Sequence, residues 1–198
     1  MPSRNVIKID VPDSYYHVYA RGHGRQQIFK DEQDFAKFIS LFKKYMKKDE
    51  SKIGDTQQLG DGVELLCYCL MGNHFHLLLY QKSEGAMSSL MRRIMTSYSM
   101  YFNRKYNLSG ALFESRYKAS RISSDPYLMH VSRYIHLNPK DWMGYPYSSI
   151  HSYYLGPPEW LHPERVIELF GSLPKYADFL NDYSDYEASD RKSTRLNS

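Results

Sequence analysis

Val63-Glu64-Leu65-Leu66-Cys67-Tyr68-Cys69-Leu70-Met71-Gly72-Asn73-His74-Phe75-His76-Leu77-Leu78-Leu79-Tyr80 is two apolar runs joined by a glycine-asparagine pair. Runs of this length, rich in aliphatic and aromatic residues and separated by two turn formers, predict a β-hairpin. Alternation along a strand places Phe75, Leu77 and Leu79 on one face, toward a core, and His74 and His76 together on the other. Cys67 and Cys69 lie inside the first run. A disulfide between such near neighbours on one strand would be strained, so they read as buried thiols.

The hairpin's flanks extend the pattern. Ser14 to Arg21 is rich in strand formers and stops at Gly22-His23-Gly24. Asp31 reads as an N-cap, and Phe35, Phe38, Ile39, Phe42, Tyr45 and Met46 behind it follow helical spacing. Lys47 to Gly62 reads as a loop. After the hairpin, Leu90, Met91, Ile94, Met95, Tyr98 and Phe102 mark a second amphipathic helix. Tyr117 to Ile122 is a further strand. Asp125-Pro126 then predicts a helix start, with a capping carboxylate and proline at the first helical position. That helix should stop near Asn138, because Pro139 disfavours helical geometry before it.

The order strand, helix, strand, strand, helix, strand, helix predicts an α+β fold. Its first six elements suit a ferredoxin-like antiparallel sheet with helices on one face, and the further helix carries Tyr134. Residues 1–155 read as the principal domain. Residues 156–190 read as a C-terminal extension, with a short helix within Trp160 to Phe170 and the start of a helical region. Residues 191–198 have no apolar periodicity and read as a non-native tail.

Composition narrows the function classes. An apolar fraction of 42% with 19 tyrosines supports a packed core and excludes wholesale disorder. No stretch approaches the ~20 apolar residues of a membrane span, and Met1 to Asn5 lacks a signal-peptide character. The expectation is a soluble, cytoplasmic protein. Net charge is only +4. However, Arg92, Arg93, Arg104, Lys105, Arg116, Lys118, Arg121 and Arg133 crowd one stretch, interleaved with tyrosines and Phe102 and Phe113. Cations neutralise phosphates and aromatic faces stack on unpaired bases. Arg21, Arg25, Arg92, Arg93, Arg116, Lys118 and Arg121 are the DNA-binding candidates. No Walker-type glycine loop, Gly-x-Ser-x-Gly or Cys-x-x-Cys points elsewhere.

Two imidazoles from one strand face can share a divalent cation. His130, Tyr134 and Asn138 recur every four residues in the last helix, near one line along it. Asn138 offers a neutral oxygen ligand and Tyr134 a phenol. A phenol with a pKa near ~10 attacks phosphorus slowly unless its proton is taken or the phosphate is polarised, and a metal ion can do the polarising. A hydrolase using metal-bound water would need the same ligands without the tyrosine. Spacing leaves both chemistries open.

Four segments in order resemble one family. Leu70-Met71-Gly72-Asn73-His74-Phe75-His76-Leu77-Leu78-Leu79 is similar to the His-hydrophobic-His segment of the single-tyrosine transposases. Arg133-Tyr134-Ile135-His136-Leu137-Asn138-Pro139 resembles the tyrosine helix of the branch associated with repetitive extragenic palindromes. Arg21-Gly22-His23-Gly24-Arg25-Gln26-Gln27-Ile28-Phe29 and Gly110-Ala111-Leu112-Phe113-Glu114-Ser115-Arg116-Tyr117-Lys118 fit the same branch. The resemblance implies single-stranded DNA nicking and rejoining beside a hairpin, through a 5′-phosphotyrosine, with Mg²⁺ or Mn²⁺ as cofactor. It implies His74, His76 and Asn138 as metal ligands and Tyr134 as catalytic nucleophile, in a monomer or homodimer. The alternative from another class is a domesticated regulator that binds hairpins without cutting them.

Overall fold

A computed structural model describes residues 10–46 and 59–182. The tail read at 191–198 and most of the loop after Met46 lie outside these residues. Four antiparallel strands, β1 (Ser14–Arg21), β2 (Val63–Met71), β3 (His74–Gln81) and β4 (Lys118–Ile122), form one sheet in the order β2-β3-β1-β4. With α1 (Glu32–Met46) after β1 and α3 (Ala86–Tyr106) after β3, this is the ferredoxin-like topology. A single turn of helix, α2 (Leu59–Gly62), precedes β2.

One face of the sheet packs on α1 and α3. Tyr16, Val18, Ala20, Phe75, Leu77 and Leu79 meet Phe38, Phe42, Leu90, Ile94 and Tyr98 there, all buried. At ~25 cal/mol per Å² of apolar surface, each such side chain contributes roughly 1.5–3 kcal/mol. The helices are also tied at their ends. The buried Asp34 carboxylate of α1 accepts from Lys105 Nζ at 2.9 Å and Tyr106 Oη at 2.8 Å, in the last turn of α3. As expected, Asp31 caps α1, its carboxylate accepting the Asp34 amide at 3.1 Å.

The opposite face carries α4 (Asp125–His136), whose Leu128, Val131 and Ile135 pack on Leu66, Cys67, Cys69 and Leu78. A register shift between Leu65 and Cys67 sets Leu66, Cys67 and Cys69 in phase on this face. That is why β2 reads as a continuous apolar run: it is covered on both sides. Both cysteines are free and buried, as expected of core thiols. The start of α4 departs from the sequence reading. Ser124 is the N-cap, no side chain caps the helix, and Asp125 is already inside it with Pro126 in the first turn.

The chain beyond Asn138 packs against the same layer. α5 (Ile150–Leu155), α6 (Glu164–Phe170) and a helix over 173–182, α7, supply Ile150, Tyr153, Val166, Tyr176 and Leu180 to the α4 core. The Leu70 amide donates to the Tyr147 carbonyl at 3.0 Å, the Ser149 amide to the Tyr68 carbonyl at 3.0 Å and the His162 amide to the Leu65 carbonyl at 2.8 Å. These bonds occupy the outer edge of β2, which would otherwise expose unpaired backbone groups. Among the described residues, no helix is long and apolar enough to cross a membrane.

Candidate active site

The site begins at the hairpin turn. Gly72-Asn73 does join the strands, with Met71 opposite His74, but neither turn residue has the positive φ of the commonest two-residue turns. The Gln27 side-chain amide lies close over Gly72, in the space a Cβ would take. The Gly72 carbonyl accepts the amides of Ile28 and Phe29 at 2.8 and 2.9 Å, and the Gly22 amide donates to Asn73 O at 2.9 Å. The segment after β1 therefore clamps the turn. Asn73, so held, places its Oδ1 2.6 Å from His74 Nδ1.

His74 and His76 project together, as alternation requires, toward the margin of α4. Their ring centroids lie 5.1 Å apart. Asn138, two residues past the end of α4, brings Oδ1 to 3.3 Å from His74 Nε2. Tyr134 turns its ring edge-on to His76, with centroids 5.2 Å apart, and remains 52% exposed, so its hydroxyl is open to a large substrate. Hence the structure brings His74, His76, Tyr134 and Asn138 into one cluster.

A third histidine belongs to it. His17 of β1 lies on the same sheet face, with Nε2 2.9 Å from His76 Nδ1. Sequence reading treated it as a strand residue only. The signal was present in the alternation of Tyr15, His17 and Tyr19, but the pairing of β1 beside β3 is needed to use it. His130 and His136, in contrast, point away. His130 Nδ1 lies 2.9 Å from an Arg133 guanidinium nitrogen. His136 is fully buried between Tyr176 Oη at 2.7 Å and Ser149 Oγ at 2.8 Å, joining α4 to α7 and the β2 edge.

Burial governs the electrostatics. It pushes His17 down to about 4. Burial, reinforced by repulsion from His17, His74 and Arg21, pushes His76 down to about 2. His74 is lowered as well, first by burial, with the Asn138 contact partly opposing. At neutral pH the imidazoles are thus uncharged and keep lone pairs free, the state that metal ligation needs. Tyr134 is raised by burial, while its hydrogen bond with Asn138 acts in the opposite sense.

The donor set fits a divalent ion of the magnesium or manganese kind: two neutral imidazoles and an amide oxygen, beside the half-exposed Tyr134. Two ligands at right angles on an ion with ~2.1 Å bonds stand roughly 3 Å apart, close to the 3.3 Å between His74 Nε2 and Asn138 Oδ1. Among the described residues no three His, Cys, Asp or Glu side chains converge as a metal-holding group; Asn138 is the further oxygen donor that stands beside His74.

The DNA-binding candidates divide. Arg21 is paired in register with His74, and Lys118, opposite Tyr19, sets its ammonium 5.9 Å from the Tyr19 ring centroid. Both are exposed at the rim of the site. Arg25, next to the clamped turn, accepts a bond from Asn73 Nδ2 at its carbonyl, 3.4 Å away. Arg116 is exposed in the approach to β4. Arg92 and Arg93 lie on α3, and Arg121 sits opposite Tyr16, so these three belong to the other side of the sheet.

The fold and the cluster define a ferredoxin-like α+β domain with a histidine-lined sheet face and a helical tyrosine beside it. Residues 10–138 match the family described as Transposase IS200 like, and the chain belongs to that family. No curated protein matches it. Among solved structures, a REP-associated tyrosine transposase bound to a REP hairpin is 17% identical, overlaps 76% of this chain and 84% of its own, and has a TM-score of 0.55. A transposase candidate from Deinococcus radiodurans R1 is 16% identical over 65% of this chain and 93% of its own, with a TM-score of 0.42.

Proposed function

We propose that the chain nicks and rejoins single-stranded DNA beside a hairpin, with Tyr134 as nucleophile. The observation that carries this reading is the convergence of Tyr134 on His76, with Asn138 shared between His74 and Tyr134. His74, His76 and Asn138 would hold Mg²⁺ or Mn²⁺, which would supply charge stabilisation at the phosphate and favour the ionised phenol. Membership in a transposase family and the hairpin bound by the structural relative support DNA as the partner.

Tyr134 is suited to its part by position. Its half-exposed ring can be reached by a DNA strand, while His76 and His17 set its edge. Because burial raises its pKa, the phenol is protonated at neutral pH and its proton must leave as attack begins. The Asn138 contact eases that loss. The tyrosine oxygen then forms a bond to phosphorus as the bond from phosphorus to the 3′ oxygen breaks, and that oxygen takes up a proton. The strand's 5′ end stays on the protein, and reversal by another 3′ hydroxyl rejoins it. Arg21, Lys118, Arg25 and Arg116 are placed to neutralise phosphates along the approach.

The test is incubation with labelled hairpin-flanked single-stranded DNA and Mn²⁺, followed by denaturing electrophoresis. A protein–DNA adduct is expected, and Tyr134→Phe should remove it while binding persists. An adduct that survives that substitution overturns the nucleophile assignment. Binding without cleavage by the wild type, across several metals and hairpins, would make the chain a regulator.

A further inference from the structure

The two histidines of the site are held in the same way. Each has Nδ1 committed to a neighbour on its own side of the sheet, Asn73 Oδ1 at 2.6 Å for His74 and His17 Nε2 at 2.9 Å for His76; a ligand would therefore meet Nε2, which in His74 faces Asn138 Oδ1 at 3.3 Å. We propose that His17 is a positioning residue that fixes the ring orientation and tautomer of His76 and so presents Nε2 of His76 to a divalent cation. This rests on the metal-dependent reading given above.

Strand pairing builds the contact. β1 and β3 are antiparallel with Tyr19 opposite His76, which makes His17 the diagonal neighbour of His76 on the same face. The two imidazoles overlap at a centroid distance of 5.1 Å and an interplanar angle of 27°. His17 is in turn flanked by Tyr19 at 5.2 Å and by the edge of Tyr134 at 5.8 Å, so its ring has little room to rotate.

Proton placement follows from the geometry. A nitrogen that binds a cation carries no proton, so His76 must bear its proton on Nδ1 and donate it to His17 Nε2. His17 then carries its own proton on Nδ1. His17 acts through His76 and is not itself a ligand in this arrangement, because its Nε2 faces a ring nitrogen and not Asn138. Filling the space and accepting a hydrogen bond are separable tasks. Phenylalanine at 17 would do the first alone, and glutamine offers an oxygen for the second.

The experiment titrates Mn²⁺ into the full chain, reading free ion by electron paramagnetic resonance, for wild type, His17→Phe and His17→Gln. Losing an orienting partner of a histidine ligand weakens metal binding by roughly 10–100-fold. His17→Phe should show such a loss, and His17→Gln should stay close to wild type. Equal Mn²⁺ affinity in His17→Phe and wild type overturns the proposal, as does a loss in His17→Gln as large as in His17→Phe. If the wild type binds no Mn²⁺, the metal reading fails and the inference falls with it. If wild type binds and His76→Ala abolishes binding while His17→Phe changes nothing, only the His17 assignment falls. Nitrogen-correlated NMR of the wild type tests it without any variant: His76 protonated at Nδ1 is expected, and protonation at Nε2 overturns it.

Discussion

The two faces of the sheet are made by the same strands in alternation, yet they are built to different ends. Toward α1 and α3 the strands present a mostly apolar and aromatic buried surface, and the buried Asp34 carboxylate is tied to Lys105 at the helix ends. Toward α4 the apolar cover stops partway. β2 and the middle of β3 lie under α4 to α7, while His17, Tyr19, His74 and His76 emerge beside the α4 margin with Tyr134 above them. One face therefore supplies the stability that lets the other keep three neutral imidazoles in a crowded, partly dry place.

Among single substitutions the largest loss of stability is expected from the helix-covered face. Phe38→Ala removes a fully buried ring packed on Phe29, Phe42, Phe75 and Tyr98. It should cost about 3–5 kcal/mol in denaturant unfolding. Second is His136→Phe. It removes the two hydrogen bonds of His136 with the Tyr176 and Ser149 hydroxyls, while Ser149 Oγ keeps its Tyr68 backbone partners; the loss should be about 1–3 kcal/mol in all and should loosen α4 against α7.

Third is an acid response specific to the histidine side. His17, His76 and His136 are held at about 4, 2 and 3 in the fold, against an ordinary 6.5. Below pH ~6.5 the unfolded chain takes up these protons first, so it binds more of them and stability falls as pH falls. The stability is fully present above pH ~6.5. The limiting slope is about 1.4 kcal/mol per pH unit for each such group. Stability measured from pH 7.5 to 5 should decline, and His136→Phe should flatten the decline. An unchanged slope in that variant would show that His136 is not held neutral by the fold.

Much of this organisation was legible from residue order. Alternation placed His74 and His76 on one face, and four-residue spacing aligned Tyr134 with Asn138. The ferredoxin-like order followed from the predicted elements. His17 was not legible, because its partner lies 59 positions away and only strand pairing brings them together. Gly72 lies in the turn that the residue pair predicts, without the positive φ such turns commonly use and with the Gln27 amide lying over it. The Asp125-Pro126 pair predicts a cap at Asp125, but the N-cap is Ser124 and the helix already begins at Asp125. The role of residues 147–162 along the β2 edge leaves no local pattern, since backbone bonds to a distant strand need no particular side chain.

The smallest stability effect and the largest chemical one should coincide at Tyr134. The residue is half exposed, so Tyr134→Phe should shift unfolding by no more than about 0.5 kcal/mol. The most direct measurement is therefore mass spectrometry of wild-type protein after reaction with hairpin-flanked single-stranded DNA and Mn²⁺. A nucleotide phosphate covalently attached to the peptide that contains Tyr134, and to no other, is expected. Strand cleavage without any covalent product, or attachment at a different residue, would contradict it.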